Sequence, residues 1–580
     1  MANVGEPTRN ALTSPSTPLP SPSPPPPTPL RIINLETEIS EEESRRQTNM
    51  NRAWVHLGFA LMLCIIFVLL FCTASLFVKE MVGPDSLDNI TKLREIYLQR
   101  ERERRLGGRI TLSPLEEVAN ARLLAVKQVD EEEHRLWQSY HNRPPPFLGH
   151  RNISDTDLYA LLRSMPKGGL LHVHDSGILG TDLLIQMTQR DNLWVCVNLN
   201  QGFEDFRFSL LYPDILPSDD YQCSWMLMRD FYEHEPLAKF VARLKESLSV
   251  PQEGFATSRK LARHLKRSQR LIHGLITYKP LWSNFLFGML QDLYQDGVQY
   301  VEMRSSLPIL YDMEGSDYTI LDSAEAMVTV SNLFQSTYKD FIGIKLIYAP
   351  SRDFNDSRMD SYVANAQLLK KHFPQLLAGF DLVSHGNECE LPPLSRISQL
   401  SKLFKKVDFY FHAGDSRCQD NMQPDVNLID AMLLGSKRIG NSLNVPLHSE
   451  VMRGLHFLNV AVEVCPLSNH YLEYVNDFRN HPAAYLIAAG FPIVIGSDYP
   501  YFWNAAPLTD DFYVAFVGMV GGNGNLRLLK QLAKNSLLHS ALNGLEKTRA
   551  MDKWKCNWNR WIKNFLNSTQ YLGRESEGKK

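Results

Sequence analysis

An α/β chain built around a (β/α)8 barrel of the TIM type is the fold class this sequence predicts, with a helical region and one membrane-spanning helix ahead of the barrel. Three observations carry that expectation. Beyond residue 165, eight short β-prone apolar runs alternate with amphipathic segments of helical length. Candidate metal ligands stand at the C-terminal ends of the first, fifth and eighth runs, where barrels of this kind place their active sites. Residues 54–78 form an apolar run without one Asp, Glu, Lys or Arg, long enough to cross a bilayer as a helix.

In chain order, residues 1–53 are read as a disordered cytosolic tail, because Ser14 to Pro29 reads SPSTPLPSPSPPPPTP and has nothing to bury. The run 54–78 begins too late and continues too long for a cleaved leader, so a signal anchor is expected. Arg45, Arg46 and Arg52 before it balance Lys79, Lys92 and Arg94 after it, and the charges leave its orientation open. Four sequons, at Asn89, Asn152, Asn355 and Asn567, all lie downstream. They favour a single-pass type II protein with a glycosylated extracellular body, its shedding or secretion left open.

Residues 79–150 are expected to be helical, since Ala121, Leu124, Ala125 and Val129 recur at helical spacing, and to pack on the body or on a partner subunit. Residues 151–570 then form the barrel, and 571–580 a second disordered tail. Its eight runs are Leu170 to Val173, Gln299 to Met303, Gly343 to Tyr348, Ala378 to Val383, Val407 to Phe411, Lys437 to Gly440, Val460 to Cys465 and Pro492 to Ile495. The first connection, about 120 residues, is far longer than an ordinary crossover and should hold an inserted lobe, at about 190–235, near the site. Cys196 and Cys223 bracket a loop-rich stretch there; a disulfide is expected in an oxidising compartment, two buried thiols being the alternative.

The 580 residues are 44% hydrophobic, enough for a large core, and carry a formal net charge of -3. That balance supplies no long-range basic field, and nucleic acid is set aside as a partner.

The stretch Met165-Pro-Lys-Gly-Gly-Leu-Leu-His-Val-His-Asp-Ser-Gly177 carries His172 and His174 on a strand, where alternation turns both imidazoles to one side. Phe411-His-Ala-Gly-Asp415 and Gly496-Ser-Asp-Tyr-Pro500 add His412 and Asp498. Three nitrogens and one oxygen suit a zinc ion. An isolated His-x-His is as often a satisfied core pair; the order and placement of the three segments favour metal.

These segments resemble the adenosine deaminase superfamily, and within it the adenosine deaminase-related growth factors, the adenosine deaminase 2 type. The resemblance covers most of residues 87 to 565. It rests also on Leu106-Gly-Gly-Arg-Ile-Thr-Leu112, Gly379-Phe-Asp-Leu-Val383, Glu463-Val-Cys-Pro-Leu-Ser-Asn469 and Phe478-Arg-Asn-His-Pro482. It implies one zinc per chain on His172, His174, His412 and Asp498, hydrolytic deamination of adenosine to inosine and ammonia, and a homodimer formed through the N-terminal helices. It also implies Asp175 as a contact to the nucleoside and Trp282 as a sugar-side aromatic, with a core position the alternative for Trp282.

Four positions depart from the family's pattern. Asp415 stands for the glutamate that passes protons, retreating by roughly 1.5 Å where proton transfer needs hydrogen-bond range. Asn441 stands for a histidine and cannot carry imidazolium charge. Tyr499 replaces a second carboxylate beside Asp498, and Ser384 a glycine whose backbone approaches the purine. His448 or Glu450 would have to compensate. Together these changes predict deamination that is very weak or lost; the alternative is a pseudoenzyme that binds a nucleoside, glycan or receptor.

Overall fold

The computed structural model describes residues 87–133, 153–178, 180–198, 202–213, 223–251, 258–384, 393–414 and 423–568, with ten positions between 58 and 69. The chain forms two compact units, residues 1–96 and 97–580. In the first, the described positions from 58 to 69 are helical with exposed apolar side chains. Among the described residues no helix is long and apolar enough to cross a membrane. Most of the expected span 54–78 lies outside the described residues, as do both expected tails, Asn152 and Asp415.

The second unit is a barrel. Strands β1 (Gly168–His174), β5 (Val298–Ser305), β6 (Gly343–Tyr348) and β7 (Leu377–Phe380) run parallel in that order, while β8 (Arg438–Ile439), β9 (Ala461–Val464) and β10 (Ile493–Ile495) form a second parallel arc. All seven are wholly buried apart from Lys345. They read as near-continuous apolar runs because both faces are covered, one by the barrel interior and one by helices. The ring closes at one side through Val173 and Asp498, whose bridge joins β10's extension to β1, with Asp498 N donating to the His172 carbonyl.

On the other side the fifth expected run, Val407 to Phe411, is not a regular strand. It is held by single bridges, Phe380 to Phe409 and His412 to Gly440. Gly379 explains the tight approach: a Cβ there would sit 2.3 Å from the Asp408 carbonyl oxygen. The eight runs therefore complete the barrel, seven of them as ladders.

Between β1 and β5 stand β2 (Leu193–Asn198), β3 (Phe203–Phe208) and β4 (Cys223–Leu227), an antiparallel sheet ordered β3-β2-β4. Cys196 and Cys223 are joined by a disulfide with Cα atoms 5.5 Å apart. The helix Ser258–Ile276 packs on β3 and reaches the end of β1. Gly274 permits that contact, since a Cβ would meet the Phe206 carbonyl oxygen at 2.3 Å. The lobe is thereby wedged over the barrel mouth.

The helix Pro114–Glu133 is tied to the body by charge-assisted bonds. Arg122 caps the carbonyls of Phe565, Leu566 and Ser568 at the end of the helix Gly544–Asn567, and Lys127 donates to Phe516. Guanidinium at a helix C-terminus satisfies carbonyls that lack intrahelical partners and complements the dipole. Trp282, on the helix Lys279–Gln295, is fully buried against Phe285, its indole N–H donating to the Ser323 carbonyl at 3.1 Å. An enclosed ring with its polar atom satisfied accords with the core alternative for Trp282.

Candidate metal centre

A lone acid in a wholly apolar strand must find a partner or pay several kcal/mol for isolation. β5, β8 and β9 each place charge inside the barrel, and it is mutually satisfied. Arg304 donates to Asp381 at 2.9 Å and to Glu463 at 2.8 Å; Arg438 donates to Glu463 and Glu302, both at 2.6 Å. All five side chains are fully buried. Burial alone would raise Asp381, but His412 and Arg304 bring it down to about 2, and Glu463 is held well below the usual range by Arg304 and Arg438. Both are therefore anions.

These anions orient the histidines. His172 Nδ1 lies 2.6 Å from Glu463 and His412 Nδ1 lies 2.8 Å from Asp381. A carboxylate only accepts, so each Nδ1 carries the hydrogen and each Nε2 keeps its lone pair. His172 Nε2 is buried with no hydrogen-bond partner among the described residues. The candidate ligand atoms of His172, His174 and His412 lie within 4.8 Å of one another. Asp498 Oδ1 is 3.6 Å from His172 Nε2 and 3.3 Å from His174 Nε2. Burial drives His174 well below its ordinary value, so that imidazole is neutral near pH 7. Converging lone pairs, an orphaned buried nitrogen and a carboxylate fit a divalent cation.

Asp498 has φ +58°, a left-handed backbone that Asp tolerates better than most residues, and its other oxygen accepts from the Ser468 hydroxyl. Asp175 follows the ligand strand directly. Its carboxylate accepts from Ser176 N at 2.6 Å and from the Ser305 hydroxyl, and His273 Nε2 of the lobe is 3.8 Å away. Burial opposes charge on His273, yet Asp175 raises it above its ordinary value.

Tyr499 covers this site. Its ring stacks on His174 with centroids 4.6 Å apart and planes 12° from parallel, and its hydroxyl bonds to Gln269 of the lobe helix. Asn441 is buried at φ +49° and accepts at Oδ1 from Asn469 Nδ2 at 2.7 Å. Ser384 is half-buried just past the fourth run. Glu450 is exposed and paired with Arg453, and His448 stands at the start of the helix Ser449–Phe457, so neither is placed in the ligand cluster. Arg304, Arg438, Asp381, Glu463 and Asn469 were not singled out from sequence as site residues, although the last three lie in the motifs that were.

Residues 244–555 match the family model described as adenosine deaminase, and residues 68–162 the one described as adenosine/AMP deaminase N-terminal. An adenosine deaminase of Lutzomyia longipalpis is 36% identical over 491 residues, 82% of this chain and 94% of its own. The Sus scrofa protein named adenosine deaminase 2 is 35% identical, covering 81% and 93%, and its Homo sapiens namesake 33%, covering 82% and 93%. Among solved structures, an amidohydrolase from Burkhoderia ambifaria aligns with TM-score 0.49 and 16% identity over 72% of this chain and 98% of its own. The chain belongs to the adenosine deaminase family, and within it to the adenosine deaminase 2 type.

Proposed function

We propose that this protein holds zinc and a purine nucleoside in an adenosine deaminase frame but deaminates adenosine very slowly or not at all. The observation that carries this reading is the Tyr499 ring lying flat on the ligand His174. One face of His174 is thereby covered by a side chain braced from the lobe through Gln269.

Bound zinc would supply a Lewis acid that lowers the pKa of a coordinated water towards neutrality. The chain's own residues must then hold that water, protonate the purine ring and leave room for it. Asn441 accepts at its oxygen from Asn469 and, unlike an imidazole, carries no positive charge to offer. Asp415 lies outside the described residues and carries an acid one methylene short of a glutamate. Removing a positioned acid-base group costs roughly 10² to 10⁴ in rate, and such losses are not additive. Asp175, pinned by Ser176 and Ser305, remains available to a nucleoside.

The reading extends to the cell surface: residues 54–78 anchor the chain, the body is extracellular, and the N-terminal helices mediate a homodimer. Asn89, Asn355 and Asn567 are exposed sequon asparagines, and the Cys196–Cys223 disulfide suits an oxidising compartment.

The test is adenosine turnover by zinc-loaded full-length protein in detergent, followed by the ultraviolet change as inosine forms. Turnover at least about 10²-fold below a family enzyme, alongside nucleoside binding by calorimetry, is expected. Turnover at family rates, abolished by His412→Ala, overturns the reading. If activity is absent, Ser384→Gly, Asp415→Glu, Asn441→His and Tyr499→Asp combined should restore it.

A further inference from the structure

The motif Leu106-Gly-Gly-Arg109 plays no part in the metal centre, yet two of its glycines are sterically required. A Cβ on Gly107, where φ is +79°, would lie 2.6 Å from the Arg527 carbonyl oxygen, and one on Gly108 would lie 2.0 Å from that of Arg102. The close-packed turn that results brings the end of the helix Leu87–Arg104 against the start of the helix Leu526–Leu538. A cavity of about 470 Å³ remains between them, within the size range of small-molecule sites.

Its lining is unbalanced in charge: Arg102, Arg105 and Arg527 face one carboxylate, Glu103, which is already engaged by Gln99. Arg527 is bonded to Glu117 and to the Ile110 carbonyl. The side chains of Arg102 and Arg105 make no hydrogen bond or ion pair among the described residues, and Arg105 Nε is buried without a partner there. Arg102 is exposed and Arg105 half-buried, and two unpaired guanidinium forks side by side suit an oxyanion better than any other common group. The first amides of the helix Leu526–Leu538 are spent on Asn120 and Asn525, so they do not compete for the anion. The lining also includes the apolar side chains of Ile487, Met519 and Val520.

We propose that this cavity binds a phosphate ester, its phosphate between Arg102 and Arg105 and its organic part against Ile487, Met519 and Val520. The group is common to soluble phosphorylated metabolites and to lipid headgroups. None of the residues that line the cavity belongs to the ligand cluster or its charge network.

The experiment titrates full-length protein in detergent, at constant ionic strength, with inorganic phosphate and with short-chain phosphatidic acid, read by calorimetry and by melting temperature against chloride. Saturable binding is expected, weakened at least tenfold by combined Arg102→Gln and Arg105→Gln but unchanged by Arg109→Gln, an exposed neighbour outside the cavity. Tighter binding of phosphatidic acid than of phosphate assigns the site to a lipid headgroup; equal binding assigns it to a soluble ester. Absence of saturable binding to both probes, or equal weakening by Arg109→Gln, overturns the proposal. Melts in chloride establish that the variants are folded.

Discussion

Asn469 donates its amide N–H to Asn441 Oδ1 at 2.7 Å, and both side chains are buried. The direction of that bond is fixed from the far end. Ala483 N donates to His481 Nδ1 at 3.1 Å, so the His481 hydrogen sits on Nε2 and donates to Asn469 Oδ1 at 3.0 Å. A chain of three side chains thus aims one donor at position 441 and accepts nothing back.

An imidazole at that position accepts the same bond through Nδ1 and keeps an Nε2 hydrogen facing the cluster. The left-handed backbone at φ +49° also admits His more readily than most residues. Asn441→His is therefore expected to change stability by less than about 1 kcal/mol, whereas Asn469→Ala, which leaves buried groups unpaired on both sides, costs about 1–3 kcal/mol. Denaturant melts of the two variants check this; equal destabilisation of both would show that the relay has no directional role.

Burial pushes His481 down to about 3, so the folded protein resists a proton that the unfolded chain accepts near pH 6.5. The stability this group contributes is full above about pH 6.5 and is lost as pH falls towards 3, at up to about 1.4 kcal/mol per unit. His264 and His539, both lowered to about 4 chiefly by burial, act in the same direction, while Asp510, raised to about 6 by burial, acts oppositely. The difference between wild type and His481→Gln isolates the one residue. Melts from pH 7 to pH 4 should show a shallower fall for the variant, and parallel curves would exclude His481 as an acid-sensitive element.

Glu463 holds His172 in its Nδ1–H form while sharing two arginines. Glu463→Gln keeps the shape but removes the anion that makes His172 a strong donor to a metal. Zinc affinity, measured by competition with a chromogenic chelator, should fall roughly 10- to 100-fold. An unchanged affinity would separate this carboxylate from metal binding.

The candidate ligand set was legible in sequence because barrel geometry forces strand ends together, so His172, His174, His412 and Asp498 needed only to stand at run ends to be brought close. The network beneath them was harder to read. Arg304 and Arg438 look like ordinary solvent-facing cations until the ring closes and buries them completely. Asp381 and Glu463 did leave a signal, single acids inside apolar runs, which in a strand covered on both faces has no solvated explanation. The fifth run was apolar enough to read as a strand, yet the structure holds it to its neighbours by single bridges, at Phe380 with Phe409 and at His412 with Gly440. For Trp282 the sequence offered two readings of equal weight, since the same indole serves a core or a ligand until its N–H partner is known.

Gly177 lies directly beneath Tyr499. A Cβ there would stand 2.4 Å from Tyr499 Cδ1, 2.6 Å from its Cα and 2.7 Å from its Cβ. Truncating the tyrosine removes the first contact but not the other two, so the steric demand is partly on the backbone that carries Asp498. Gly177→Ala is accordingly expected to cost at least about 1–3 kcal/mol in stability. It should also weaken zinc binding, because moving residue 499 displaces its neighbouring ligand. Tyr499→Ala alone should instead open the face of His174 and tighten adenosine binding in calorimetry, and the double variant should regain only part of the stability lost by Gly177→Ala. Full recovery in the double variant would place the whole conflict on the ring. Adenosine binding no tighter in Tyr499→Ala would mean that Tyr499 does not occupy nucleoside space.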